Sequence, residues 1–436
     1  MGAMANQARR TAALLWVVAA GAFASGPTRA EEPRVRAFVG ARLFDGSGKP
    51  VVEGAVLLVE GGRILAVGGA DVAVPKGAER IDLAGRFVMP GLVNAHGHVG
   101  ETRGLRSGPE HYSRENVLAQ LGLYARYGVT TVVSLGGDQE PGFRLRDEQG
   151  TATLDRARLY VAGSVVDAAT PEAARGQVSA LAALKPDWVK VRVDDTLGTT
   201  TKMPTEVYRA VIGDAHRRGL RVAAHLFYLE DARGLLAAGA DLLAHSIRDQ
   251  DVDAGFVAEL KRRGTCLCPT LTRELQAFVY AGEPDFFADP FFLKEAEPSV
   301  LAELRSAERR ARVSANPASE RYRKALAVAS RNLKALVAAG VPIAFGTDSG
   351  PPARFQGYFE HLELELMVNA GLSPAQALLA ATGGAARCLR LGDVGRLEPG
   401  AWADFLVLRD DPLVDIRSTR SLESVFVAGN RVSARP

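Results

Sequence analysis

Between residue 91 and about residue 393 the chain alternates short apolar runs with longer amphipathic stretches, and few architectures accept that order. The apolar runs are GLVNAHG, VTTVVSL, ARLYVAG, WVKVRV, LRVAAHL, DLLAHS, GTCLCPT and VPIAFGTD. Between them lie helical candidates such as NVLAQLGLYARYG, PTEVYRAVIGDAHRRG, YLEDARGLLAAG and RNLKALVAAG. A strand covered on both faces reads as an unbroken apolar run, and reaching a parallel neighbour requires a helical crossover. Eight such units close into a ring with no exposed edge, so the expectation is an α/β protein with a (β/α)8 TIM barrel over residues 91–393.

The flanks have another character. Residues 31–90 carry alternating strand-like runs (VRAFVG, AVLLVEGGRILAVG, ERIDLAGRFVMP), and residues 394–436 carry ADFLVLRD and SVFVAGNRVSA. Each is too short to bury its own apolar face. One small β-sandwich-like domain formed by both chain ends satisfies the two together. Residues 272–330 are too long for a simple connection and hold the aromatic run AFVYAGEPDFFADPFF. A helical excursion over the barrel mouth is expected there, with Phe278 to Phe292 forming an apolar wall for substrate.

Residues 1–30 read as a signal peptide. Arg9-Arg10 precede an apolar run from Ala12 to Ala24, and small residues lead to Ala30 just before Glu31-Glu32. The expectation is export to a periplasm, with no stable membrane partner after cleavage. Arg9, Arg10 and Arg29 account for the formal charge of +3, so the remaining charges balance and no nucleic-acid partner is indicated. Three cysteines, Cys266, Cys268 and Cys388, fit neither a zinc knuckle nor a disulfide framework and are read as buried thiols.

The chemistry concentrates at the ends of the apolar runs. His96 and His98 lie two apart at the end of the first, so a strand period of two puts both imidazoles on one face. His225 ends LRVAAH and His245 ends DLLAH, so four of the seven histidines occupy strand ends. In a barrel, those ends meet at one face. Imidazoles on rigid strands suit zinc or a similar ion. Lys190, inside WVKVRV, would point into the barrel beside them, where a bare ammonium is costly. Either it pairs with Asp194, Asp195 or Asp348, or carbon dioxide carboxylates it into an anion able to bridge two metals. Asp348 ends the eighth run and is placed to ligate a metal and move a proton to a leaving group.

The stretches PGLVNAHGHVG, YGVTTVVSLGG, DWVKVRV, VAAHLF, GADLLAHS, VPIAFGTDSG, HLELELMVNAGLSPAQALLAATGGAARCL and VGRLEPGAWADFLVL resemble the amidohydrolase superfamily. The likeness is to its imidazolonepropionase-like and metal-dependent prolidase-like branch. It implies a two-metal site, most simply two Zn2+, with His96 and His98 on the buried ion and His225 and His245 on the other. Carboxylated Lys190 would bridge them, and Asp348 would serve as ligand and catalytic proton shuttle. The departures are local: His225-Leu226-Phe227-Tyr228 places tyrosine one position late, His245 precedes Ser246 rather than glycine, and Ser134 stands where an aspartate is common.

Three functions follow. The first is hydrolysis of an amide bond in a small carboxylate-bearing substrate, such as a dipeptide or N-acyl amino acid, gripped by Arg192, Tyr228 and Arg248. The second is ester, lactone or phosphotriester hydrolysis at the same site. The third is a non-catalytic binding protein on a barrel scaffold, which a full ligand set disfavours. The two arginines have nearby carboxylates, Asp194, Asp195, Asp249 and Asp251, as alternative partners. The partner class is a small-molecule substrate, and a homo-oligomer is left open.

Overall fold

The computed structural model describes residues 34–434; the expected signal segment lies outside the described residues. Both chain ends build one eight-stranded sheet. Its order is Asn430–Arg431, Leu422–Val427, Phe405–Leu408, Phe87–Pro90, Arg36–Leu43, Val52–Glu60 and Arg63–Gly68, with Glu79–Asp82 also beside Arg36–Leu43. The two ends join through antiparallel pairing of Phe405 with Pro90 and Leu408 with Phe87. Alternation collects Phe38, Leu57, Val88, Phe405 and Phe426 into one core. Phe405 stacks on Phe426 at 4.5 Å between centroids, so neither end is complete without the other.

The barrel follows. Leu92–Gly97, Val129–Ser134 and Arg158–Val161 form one parallel sheet, and Trp188–Arg192, Arg221–His225, Leu242–Ala244 and Cys266–Cys268 form another. The amide of Asp187 donates to the carbonyl of Val161 (2.9 Å) and that of Val166 to Lys190 (2.8 Å), joining the two. The eighth position closes the ring by isolated bridges, Leu267 with Ile343 and Gly97 with Ser349. Its ladder is broken because this segment presses on its neighbours and then turns. A Cβ at Gly346 would lie 2.5 Å from Cys268 Sγ and 2.8 Å from the His96 nitrogen, so only glycine fits. Two residues later Asp348 turns left-handed, at φ 57°.

Inside the barrel, Trp188, Ala223, Leu242, Ala244 and Ala344 pack with Ala385 and Leu389, which plug its lower end. The plug brings a correction. Cys266 is not a free thiol: it is disulfide-bonded to Cys388, 122 residues away. Cys268 alone is free and buried. Nothing in the spacing of three cysteines shows that the helix Ala385–Leu389 ends against the start of the Cys266 strand.

Residues 271–338 are helical throughout, with short connections. The expected aromatic wall is chiefly a core of its own. Phe286, Phe287 and Phe292 pack with Tyr127, Tyr280, Tyr358 and Phe359, because aromatic surface on that scale is most stable when it finds other rings. His361 fastens this region. Its Nδ1 meets Thr419 Oγ1 at 2.9 Å and its Nε2 meets the Tyr127 carbonyl at 2.7 Å. Burial pushes its pKa from 6.5 to about 3, the Tyr127 contact opposing and the Arg420 and Lys294 charges assisting. The unfolded chain therefore gains a proton here as pH falls below 6.5, while the folded chain stays neutral down to about 3. Stability is present above that window and lost as pH falls through it, by up to about 1.4 kcal/mol per pH unit. Urea midpoints at neutral and mildly acid pH should show a shallower loss in His361→Gln than in wild type. Equal slopes would mean that His361 does not contribute.

Candidate metal centre

Three side chains converge at the upper end of the barrel: His96, His98 and Asp348, whose ligand atoms all lie within 4.8 Å of one another. The His96 strand supplies the first two. The third arrives because the Asp348 amide donates to the His96 carbonyl (2.6 Å) while its left-handed backbone turns the carboxylate inward. Asp348 Oδ1 lies 2.9 Å from His98 Nε2 and 3.6 Å from His96 Nε2. His98 Nδ1 contacts the Gly136 carbonyl at 3.1 Å, which places the proton on Nδ1 and leaves Nε2 for a metal. Burial first, then the Lys190 charge, holds His96 well below the usual imidazole range, so it is neutral as a ligand must be. Asp348 stays ionised: burial favours its neutral form, but Arg354, His96 and His98 outweigh it. Two imidazoles and a carboxylate fit one divalent ion.

The expected two-metal centre is corrected to one. Among the described residues, His96, His98 and Asp348 are the one convergent group of this kind. Lys190 is buried beside it, its Nζ 3.1 Å from His96 Nε2, with burial drawing its pKa to about 8, and it is not part of the convergent ligand group. His225 is committed elsewhere, its Nε2 lying 2.7 Å from Asp194 Oδ2. There burial raises the Asp194 pKa, but the bond and charge of His225 and the charge of Arg248 hold it below the carboxylate range. His245 Nδ1 meets Thr270 Oγ1 at 2.6 Å, and its ring packs 4.2 Å from His225 and 4.7 Å from His96. These side chains wall the cavity without forming a second cluster. The sequence offered Asp194 as a partner for lysine; the fold gives it to His225. Metal analysis should therefore find about one ion per chain in both wild type and Lys190→Met. Loss of the ion from the variant would restore Lys190 as a ligand.

The three proposed substrate contacts are not brought together. Arg192 is exposed where its strand ends, and its Nη2 donates to Thr196 Oγ1 at 2.7 Å. Tyr228 donates to Asp195 Oδ1 at 2.8 Å. Arg248 is fully buried, its Nε 3.0 Å from Glu274 Oε1 and its Nη1 donating to the Leu226 and Ser246 carbonyls. Two other arginines flank the triad. Arg354 Nη1 lies 2.5 Å from Asp348 Oδ2 and Arg273 Nε lies 3.7 Å from the same oxygen. Glu274 braces Arg273 at 2.8 Å. Both stand just past a strand end, in the Thr270–Glu274 and Asp348–Arg354 segments, and that position was the signal available for them.

The sequence profile of the amidohydrolase family matches residues 87–432. An imidazolonepropionase from Anaeromyxobacter sp. (strain K) is 30% identical over 390 residues, covering 82% of this chain and 84% of that protein. A structure from Bifidobacterium longum, described as that of a prolidase, superposes with a TM-score of 0.75 at 26% identity, over 92% of this chain and 96% of the other. A Xaa-Pro dipeptidase with methionine bound in its active site shares the fold at a TM-score of 0.72 and 20% identity, over 91% and 99% of the two chains. With the family profile spanning most of its length, the chain belongs to the amidohydrolase family, as a metal-dependent hydrolase acting on carbon–nitrogen bonds.

Proposed function

We propose that this chain hydrolyses the amide bond of a small carboxylate-bearing molecule, a dipeptide or N-acyl amino acid, with one ion held by His96, His98 and Asp348. Zinc is the ion this donor set suits best. The observation that carries the reading is the pair of arginines beside the triad. Arg273 Nε and Arg354 Nε are buried and lack hydrogen-bond partners, so two guanidinium donors stand unsatisfied next to the reacting centre. An arginine fork grips a carboxylate in fixed orientation, as recognition beside a scissile bond requires. Arg354 also lines a cleft of about 640 Å³ with Arg103, Asn116, Glu297 and Phe355, a size suited to a small ligand. When bound, the ion polarises the amide carbonyl and lowers the pKa of water. Asp348 accepts the attacking water's proton on its carboxylate and returns it to the leaving nitrogen.

The test is a panel of dipeptides and N-acyl amino acids, each beside its C-terminal amide, with lactones and phosphotriesters for contrast. Free acids should exceed their amides by about tenfold or more in kcat/KM, and Arg273→Met should narrow the gap. Equal rates, or turnover of lactones and phosphotriesters alone, would sink the proposal.

Export to a periplasm is part of the same reading. It is supported by the charged, apolar and small-residue order of residues 1–30 and by the Cys266–Cys388 disulfide, which suits an oxidising compartment. Sequencing the native protein should find an N-terminus near Glu31; an intact Met1 on cytoplasmic protein would refute it. Among the described residues no helix is long and apolar enough to cross a membrane.

A further inference from the structure

A second cavity, of about 460 Å³, opens at the other end of the barrel. Arg221, which lines it, begins the strand that His225 ends, and Cys266 begins the strand that Cys268 ends. Four residues of strand put the two ends about 13 Å apart. Four arginines line this cavity, Arg221, Arg263, Arg387 and Arg390, against one acidic residue, Asp241. Asp241 is occupied: its Oδ2 accepts from the Val222 amide at 2.8 Å and contacts His216 Nε2 at 2.9 Å. Arg263 is held by Glu259 at 2.5 Å.

The other three arginines make no ion pair among the described residues. Arg221 lies over the Trp188 ring at 4.0 Å, and its Nη1 is buried with no hydrogen-bond partner. Helices Leu229–Ala238, Ala254–Arg263 and Ala385–Leu389 all end at this cavity. Their negative ends favour cations nearby. That accounts for positive charge in the region, but it gives Arg221 Nη1 no acceptor. The disulfide adds a second observation. Cys388 sits between Arg387 and Arg390 and is bonded to Cys266, so the helix end bearing two arginines is fixed to the barrel wall.

We propose that this cavity binds a small, multiply charged oxyanion, a phosphate ester or a polycarboxylate, and that the Cys266–Cys388 bond holds Arg387 and Arg390 in place for it. Guanidinium forks match the geometry of both oxyanions, and the volume suits a metabolite rather than a polymer.

The experiment is calorimetric titration of the full metal-loaded chain with inorganic phosphate and, separately, with tricarballylate. At least one should bind, more weakly as salt rises. The double variant Arg387→Ala/Arg390→Ala should weaken binding by about tenfold or more while leaving amide hydrolysis unchanged. Both side chains are exposed, so the variant should keep its fold; the urea midpoint checks this, and Arg390→Gln alone is the milder second variant. Phosphate binding alone identifies a phosphorylated ligand, and tricarballylate binding alone a polycarboxylate. Binding of neither, or affinity unchanged in both variants, overturns the proposal, the latter by placing the anion at the metal. Cys388→Ser should also weaken binding; an unchanged affinity would strike the crosslink from it.

Discussion

Asp348→Ala should lose its metal ion and fall by about 10²–10⁴-fold in kcat, the scale of a general-base contribution, before the missing ion adds its own share. The side chain is a third of the ligand set, and it is the ionised group toward which His98 Nε2, Arg354 Nη1 and Arg273 Nε converge at 2.9, 2.5 and 3.7 Å. Removing it also leaves the part-buried Arg354 guanidinium without its carboxylate, while Arg273 keeps Glu274, so somewhat lower stability should accompany the lost activity. Asp348→Asn separates the roles. One amide oxygen can still serve as a ligand, but the group cannot take up the water's proton, so turnover should fall almost as far while most of the metal remains. The amide nitrogen would then face Arg354, donor against donor, and Arg354 must shift. Metal analysis beside single-turnover rates distinguishes the two variants. Near-wild-type turnover in Asp348→Asn would assign the proton transfer to another group.

The architecture and the triad were legible because both follow from periodicity. Unbroken apolar runs give strands, a period of two gives a shared face for His96 and His98, and strand ends give a common mouth. What periodicity does not carry is who meets whom across loops. Lys190 and Arg192 share a strand face in sequence, but the strand ends at Arg192, which pairs in register with His225 and opens to solvent. His225 looked like a ligand until the turn after Arg192 placed Asp194 against its Nε2. The Cys266–Cys388 bond depends on a helix end reaching a strand start over 122 residues. Arg248, Arg273 and Arg354 are chemically alike in sequence. Only packing shows that Glu274 and two carbonyls hold the first away from the mouth while the other two border Asp348.

Glu360 was not singled out in the sequence, yet Glu360→Ala should be among the most damaging substitutions away from the metal. Glu360 is fully buried, and its Oε1 accepts from Asn94 Nδ2 at 2.6 Å, Thr347 Oγ1 at 2.7 Å and Ser349 Oγ at 2.7 Å. Asn94 in turn accepts the His96 amide at 2.9 Å, while Thr347 and Ser349 flank Asp348. One carboxylate thus fastens the segment bearing two ligands to the segment bearing the third. Alanine removes the acceptor of Thr347 Oγ1 and one of the two acceptors of Asn94 Nδ2, which keeps Thr347 Oγ1 at 3.0 Å, while Ser349 Oγ can turn to Tyr124 at 2.7 Å. Two lost acceptors at about 1–3 kcal/mol each cost at least about 2 kcal/mol of stability. With only the backbone bonds and the Asn94–Thr347 contact left to tie the segments, the metal should bind roughly 10–100-fold more weakly, the usual effect of losing a group that orients ligands. The conservative variant sharpens the claim. Oε2 of Glu360 has no hydrogen-bond partner, and burial already favours the neutral acid. Glu360→Gln can keep its oxygen where Oε1 accepts, so it should recover most of the stability and metal affinity that alanine forfeits. Urea unfolding of the metal-free chains reads the first quantity, and competition with a chelator reads the second. If alanine and glutamine behaved alike, the acceptor role of Oε1 would be wrong. If alanine lowered stability with metal affinity intact, Glu360 would be a core residue that does not position the site.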